Sequence, residues 1–129
     1  MSDDSADQLV RETEAARGYL NPGHRHLAAA DPEFMRTYNQ AVGIALKHGE
    51  RELDTDDLEA KYRELVVCAL LAFRGEAESA IAGHLRRAMR LGATEKEAVG
   101  AFEAAFVPGG APTLLTGMRV LAGMRRGEY

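Results

Sequence analysis

Nine consecutive apolar residues, Leu65 to Phe73 (LVVCALLAF), constrain this chain more than any other stretch. A helix with one buried stripe mixes apolar and polar residues at a period near 3.6, and this run contains no polar break. It reads as a central helix packed on several sides. The run is about half of the ~20 residues that a bilayer crossing takes, so it reads as core and not as a membrane span. Glu64 stands at its edge, one turn from Cys68, and carries a carboxylate towards the interior. His84 falls on the next helical segment, on a face with Ala77, Ala80, Ile81, Ala88 and Leu91 at helical spacing. An acid and an imidazole on adjacent helices are the best candidates for a site.

The remaining composition fits a small helical domain. At 129 residues, with 46% apolar and 28% charged side chains, the chain is sized for one domain with a modest core. Leu, Ala, Glu and Arg outnumber β-branched and aromatic types, which favours an all-α fold. A net charge of −4 gives no electrostatic case for nucleic acid or an anionic membrane as main partner, leaving small molecules or other protein chains. The single cysteine cannot form an internal disulfide, and MSDDSADQ lacks the basic and apolar parts of a signal peptide. A cytoplasmic protein is expected.

In chain order, a short helix is expected from about Asp7 to Gly18, and residues 1–17 read as an N-terminal segment ahead of a domain spanning 18–126. Pro22-Gly23 then suggests a turn carrying His24 and His26. Asp31-Pro32 reads as N-cap and first helical residue, opening a helix to His48 with Phe34, Tyr38, Val42, Ala45 and Leu46 on its apolar side. Glu50 to Asp57 is charged and expected to be flexible, with Asp54 to Asp57 supplying the cap and first acids of a central helix from about Asp56 to Phe73. Arg74-Gly75-Glu76 breaks it briefly. The His84 helix ends at Gly92, and Thr94-x-x-Glu97 matches a capping box for a helix that turns Val99, Phe102, Ala105 and Phe106 inward. Pro108-Gly109-Gly110 stops that helix, and Pro112 opens a last one with Leu114, Leu115, Met118, Leu121 and Ala122 as its apolar face. No repeat or Gly-rich phosphate loop is present.

Several short motifs, in order and spacing, resemble the carboxymuconolactone decarboxylase family, which includes the AhpD-type alkylhydroperoxidases. They are K-Y-R-E-L at Lys61 to Leu65, H-L-R-R-A at His84 to Ala88, L-G-A-T-x-x-E at Leu91 to Glu97, and G-A-P at Gly110 to Pro112. D-P-E-F at Asp31 to Phe34 resembles one branch of the family. The resemblance implies an AhpD-like bundle of about six to seven helices, assembled as a homo-oligomer, trimer or hexamer, with sites near the subunit contacts. Glu64 and His84 match the glutamate and histidine of the peroxidase branch's proton relay. The C-x-x-C thiols of that relay are replaced by Ala77 and Ala80, which argues against thiol peroxidase chemistry. The glutamine and tyrosine that the decarboxylase branch carries before G-x-P are replaced by Ala104 and Pro108.

Each candidate has a plainer reading beside it. His84 could be a core histidine bonded to a carbonyl, and Glu64 a surface acid paired with Lys61 or Arg63. Cys68 is read as a small buried apolar residue. His24 and His26 could hold a metal with His84 and Glu64, but surface histidines are the commoner meaning and no metal or other cofactor is expected. Arg86, Arg87 and Arg90 read as a solvated face or subunit contacts, although one could grip a substrate carboxylate. The expected function is a cofactor-independent lyase of the decarboxylase type, acting on a small carboxylated lactone or a keto or enol acid. His84 and Glu64 would be its acid–base pair, and Arg63, His24 or His26 would hold the substrate's carboxylate. The alternatives are a non-catalytic ligand-binding or accessory oligomer of the same fold, or a metal-dependent variant of the lyase.

Overall fold

The structure is a computed structural model and describes residues 3–18 and 20–129. Six α-helices follow one another: α1 (Asp3–Arg17), α2 (Pro22–Ala30), α3 (Pro32–Ala45), α4 (Ala60–Arg74), α5 (Glu78–Arg90) and α6 (Glu95–Arg125), with a 3₁₀ turn at Gly49–Leu53 between α3 and α4. No strand occurs among the described residues, so the all-α expectation holds.

Local chemistry sets most of the helix ends. Asp31 caps α3 by accepting from the Phe34 amide at 3.0 Å. Thr94 and Glu97 form the reciprocal capping box that opens α6, with bonds of 3.1 and 2.9 Å. Such a cap is worth about 1 kcal/mol. Gly75 closes α4 and Gly92 follows α5, both with positive φ, which glycine adopts without the Cβ clash.

The last helix is two helices in effect. A straight 31-residue helix would be about 45 Å long, yet its first residue, Glu95, pairs with Arg125 at its far end at 2.6 Å. The reversal lies at Gly110, whose φ of 74° and ψ of −170° are not helical. Pro108-Gly109-Gly110 therefore stops one arm, and Pro112 sits in the first turn of the other, as the sequence suggests. The arms pack so closely that a Cβ on Gly117 would lie 2.3 Å from the buried Phe102 ring. By length and composition alone this stretch could cross a membrane. Its fold back on itself makes it a core hairpin instead.

The larger core joins α4, α5 and both arms of α6 through Leu65, Cys68, Ile81, Leu85, Phe102 and Val120. A smaller one joins α1, α2 and α3 through Leu9, Val10, Ala28 and Met35. Polar ties from arginine connect them. Arg87 donates to the Leu46 and Lys47 carbonyls at 2.8 and 3.0 Å, and Arg63 to the Ala45 carbonyl at 3.1 Å.

Several sequence expectations need correction: α1 starts at Asp3 and not near Asp7, Gly49–Leu53 of the segment expected to be flexible forms a 3₁₀ turn, and Phe106 and Leu115, expected to face inward, are 45% and 53% exposed. Residues 22–30 form a helix, not a turn: Asn21 caps it and Pro22 is its first residue, the same pattern read correctly at Asp31-Pro32. α3 ends at Ala45, before His48, and buries Met35 and Gly43, while Phe34 remains 57% exposed. The true stripe lies one residue round the helix, because α3 packs on α1 and α2 with Asn39 bonded to Thr13 at 2.8 Å. α4 starts at Ala60, not Asp56, because Asp57 is drawn into ion pairs with Lys47 and Arg63. The apolar run of α4 is not buried all round in the single chain, since Val66, Leu70 and Phe73 are about half exposed.

Candidate functional site

α4 and α5 pack side by side, and their contact places Glu64 against His84. Nδ1 of the imidazole lies 3.2 and 3.3 Å from the two carboxylate oxygens. The acid is deeper than the base: 2% of the Glu64 side chain is exposed against 11% for His84. A carboxylate in that position fixes the orientation of the ring. Both side chains are thus largely enclosed by α4 and α5.

Arg87, one turn after His84, is the third member. Its guanidinium is 3.8 Å from Glu64, 3.0 Å from Glu52, and bonded to two carbonyls of residues 46–47. Only 4% of Arg87 is exposed. Three ionisable groups are thus buried together, and charges are kept inside a fold only where others compensate them. The sequence names three arginines on α5 without ranking them. Position i+3 from His84 is the signal that singles out Arg87, since that spacing shares a helix face.

Cys68, one turn after Glu64, is fully buried and donates weakly to the Ile81 carbonyl at 3.7 Å. Burial, and then the Glu64 charge, push its thiol far above the ordinary range. It is a core residue and no nucleophile.

The residues expected to hold a carboxylate are placed elsewhere. Arg63 is spent on the Leu58 and Ala45 carbonyls at 2.7 and 3.1 Å and on Asp57 at 3.3 Å. His24 accepts from the Asn21 amide at 3.2 Å, which makes it part of the α2 cap, and its ring lies 6.0 Å from that of Tyr38. His26 lines a separate hollow with Glu14 and Arg25. Two residues apart on a helix point about 200° apart, so these histidines diverge from each other. Among the described residues no three His, Cys, Asp or Glu side chains converge as metal donors.

His48 was not singled out by sequence. Its Nε2 is buried without a hydrogen-bond partner, and it lines a cavity of about 600 Å³ with Leu9, Asn39 and Ile44. Burial lowers its pKa, and the Arg87 charge adds to the effect. Nothing local in the sequence marks it, because the cavity forms only where α1 packs against α3 and the 3₁₀ turn.

Six helices without a strand among the described residues make an all-α bundle of the AhpD-like class. The carboxymuconolactone decarboxylase family profile matches residues 32–123, and the chain belongs to that family. A solved structure from Burkholderia xenovorans LB400, provisionally described as a carboxymuconolactone decarboxylase, superposes with a TM-score of 0.77. The alignment covers 98% of this chain and 96% of that one at 24% identity, which speaks to the fold. Comparison with curated proteins gives no match.

Proposed function

We propose that this chain is a cofactor-independent carbon–carbon lyase acting on a small carboxylated lactone or a keto or enol acid. The carrying observation is the buried contact between the Glu64 carboxylate and His84 Nδ1. When the bond from the carboxylate carbon to the ring or chain breaks, carbon dioxide leaves and the electron pair passes to the conjugated carbonyl as an enolate. Imidazolium His84 gives its proton to the carbanionic carbon and regains one from water. Glu64 holds the ring and stabilises its charged form. Thiol peroxidase chemistry is disfavoured, since Ala77 and Ala80 stand where the family's thiols would be and Cys68 is buried.

The test is carbon dioxide release and deuterium incorporation in heavy water over a panel of carboxylated lactones and β-keto acids. Glu64→Gln and His84→Gln are expected to fold as wild type by circular dichroism. His84→Gln should lose about 10²–10⁴-fold in turnover, the usual worth of a general acid. Full turnover in His84→Gln would overturn the mechanism. The loss of the decarboxylase branch's residues at Ala104 and Pro108 favours the second reading, a ligand-binding or accessory oligomer. Under that reading no substrate in the panel releases carbon dioxide.

A further inference from the structure

Beside the Glu64–His84 pair lies a second cluster that the lyase mechanism leaves unused. Arg17 at the end of α1 and Arg86, Arg87 and Arg90 of α5 line a cavity of about 230 Å³, with Gly83 in its wall. Gly83, Arg86, Arg87 and Arg90 recur at helical spacing, so one face of α5 presents all three arginines, with a residue lacking a side chain among them. Four arginines line this one cavity. The carboxylates paired with them are Glu52, shared by Arg87 and Arg90 at 3.0 Å each, and Glu64, 3.8 Å from Arg87. In a chain whose net charge is −4, this is a local excess of positive charge.

Two donors in the cluster have no hydrogen-bond partner among the described residues. Arg17 is 7% exposed, yet its Nη2 is buried without a hydrogen-bond partner; Nε of Arg87 is in the same state. The recorded contact of the Arg17 guanidinium is with the Tyr38 ring face, 4.8 Å from its centroid. Leaving a charged donor buried and unsatisfied costs more than leaving a neutral one. A small cavity lined by arginines suits a carboxylate or a phosphate.

We propose that this cavity binds the carboxylate or phosphate group of a small ligand, with Arg17 and Arg86 as its principal donors. Arg86 also borders a second cavity, of about 440 Å³, whose wall includes Leu20, Ala77, Ala80 and Tyr129. The anionic group sits among the arginines, and the uncharged body of the ligand lies over Ala77 and Ala80. Arg86 lies two residues after His84 on α5, about 200° round the helix, so this cavity is separate from the His84 ring, and anion binding here does not rest on the lyase reading.

The test is isothermal titration calorimetry of the intact chain with malonate and with inorganic phosphate, at low and moderate salt, in wild type, His84→Ala, Arg17→Gln, Arg17→Lys and Arg86→Gln. Saturable binding at one site per chain is expected for at least one anion. It should survive in His84→Ala, weaken about tenfold or more in Arg17→Gln and Arg86→Gln, and return only in part in Arg17→Lys. Malonate binding alone identifies a carboxylate site, and phosphate binding alone a site for a phosphorylated ligand. Arg86 is partly exposed, so Arg86→Gln carries the test if Arg17→Gln does not fold. No saturable binding of either anion, or unchanged binding in every folded arginine variant, overturns the proposal. Because no turnover is needed, an anion site without decarboxylation would sink the lyase reading and leave this one standing.

Discussion

Arg87 shows how one side chain can serve two purposes. It fastens the segment after α3 through the Leu46 and Lys47 carbonyls and lies beside Glu64 as the buried acid's nearest cation. Its charge also reaches His48. Burial lowers that imidazole's pKa from 6.5, and Arg87 lowers it further. In the unfolded chain His48 returns to its ordinary value, so as pH falls through about 6.5 the unfolded state takes up the proton first. Stability is therefore lost as pH falls from that value towards the folded pKa. Denaturant midpoints measured at about pH 7.5 and about pH 5.5 should drop in the wild type and drop less in His48→Gln. Equal drops in both would show that His48 does not carry the dependence. At this scale the sequence marks Glu64 and His84, because an acid and an imidazole at the edges of apolar helices are conspicuous. It cannot mark His48 or Arg17, whose roles come from groups far away in the chain.

Among the elements, the α6 hairpin makes the most exacting packing demand. Phe102 is fully buried and presses on Gly117, so Gly117→Ala forces a methyl group into a ring that has nowhere to go. Overpacking of this kind costs about 1–3 kcal/mol. Gly100, on the first arm, has open space around its Cβ position, and Gly100→Ala should stabilise by about 0.5–1 kcal/mol through helix propensity. Opposite shifts in urea midpoint would confirm the hairpin contact. A neutral Gly117→Ala would mean that the arms are further apart than described. Helix ends were legible where a cap is local, as at Asp31-Pro32 and Thr94-x-x-Glu97. They were misread at Asn21-Pro22, where Gly23 suggested a turn, and at Asp54 to Asp57, where Lys47 and Arg63 claim Asp57 for tertiary ion pairs.

At the scale of the whole molecule, the single chain leaves a broad apolar surface. Val66, Leu70 and Phe73 of α4 are 48%, 55% and 49% exposed, and with Leu58, Ala101 and Ala105 they border a groove of about 660 Å³. Contiguous exposed apolar area of this kind marks an interaction surface. It lies on the helix that carries Glu64. We propose a second copy of the chain as its occupant, within the trimer or hexamer that the family resemblance implies. Light scattering at micromolar concentration should give a multiple of the 14.0 kDa chain mass, and Leu70→Glu should return the single-chain mass. A wild-type monomer would refute this assembly. The sequence by itself determined the helical class, most helix ends and the acid–imidazole pair, because these follow from periodicity, capping and residue type over a few neighbouring positions. Only the tertiary structure decided which face of α3 is buried, that α6 folds back at Gly110, which arginine of α5 meets Glu64, and that Arg17 joins the arginines of α5. Those depend on contacts between residues up to about seventy positions apart, which no local pattern encodes.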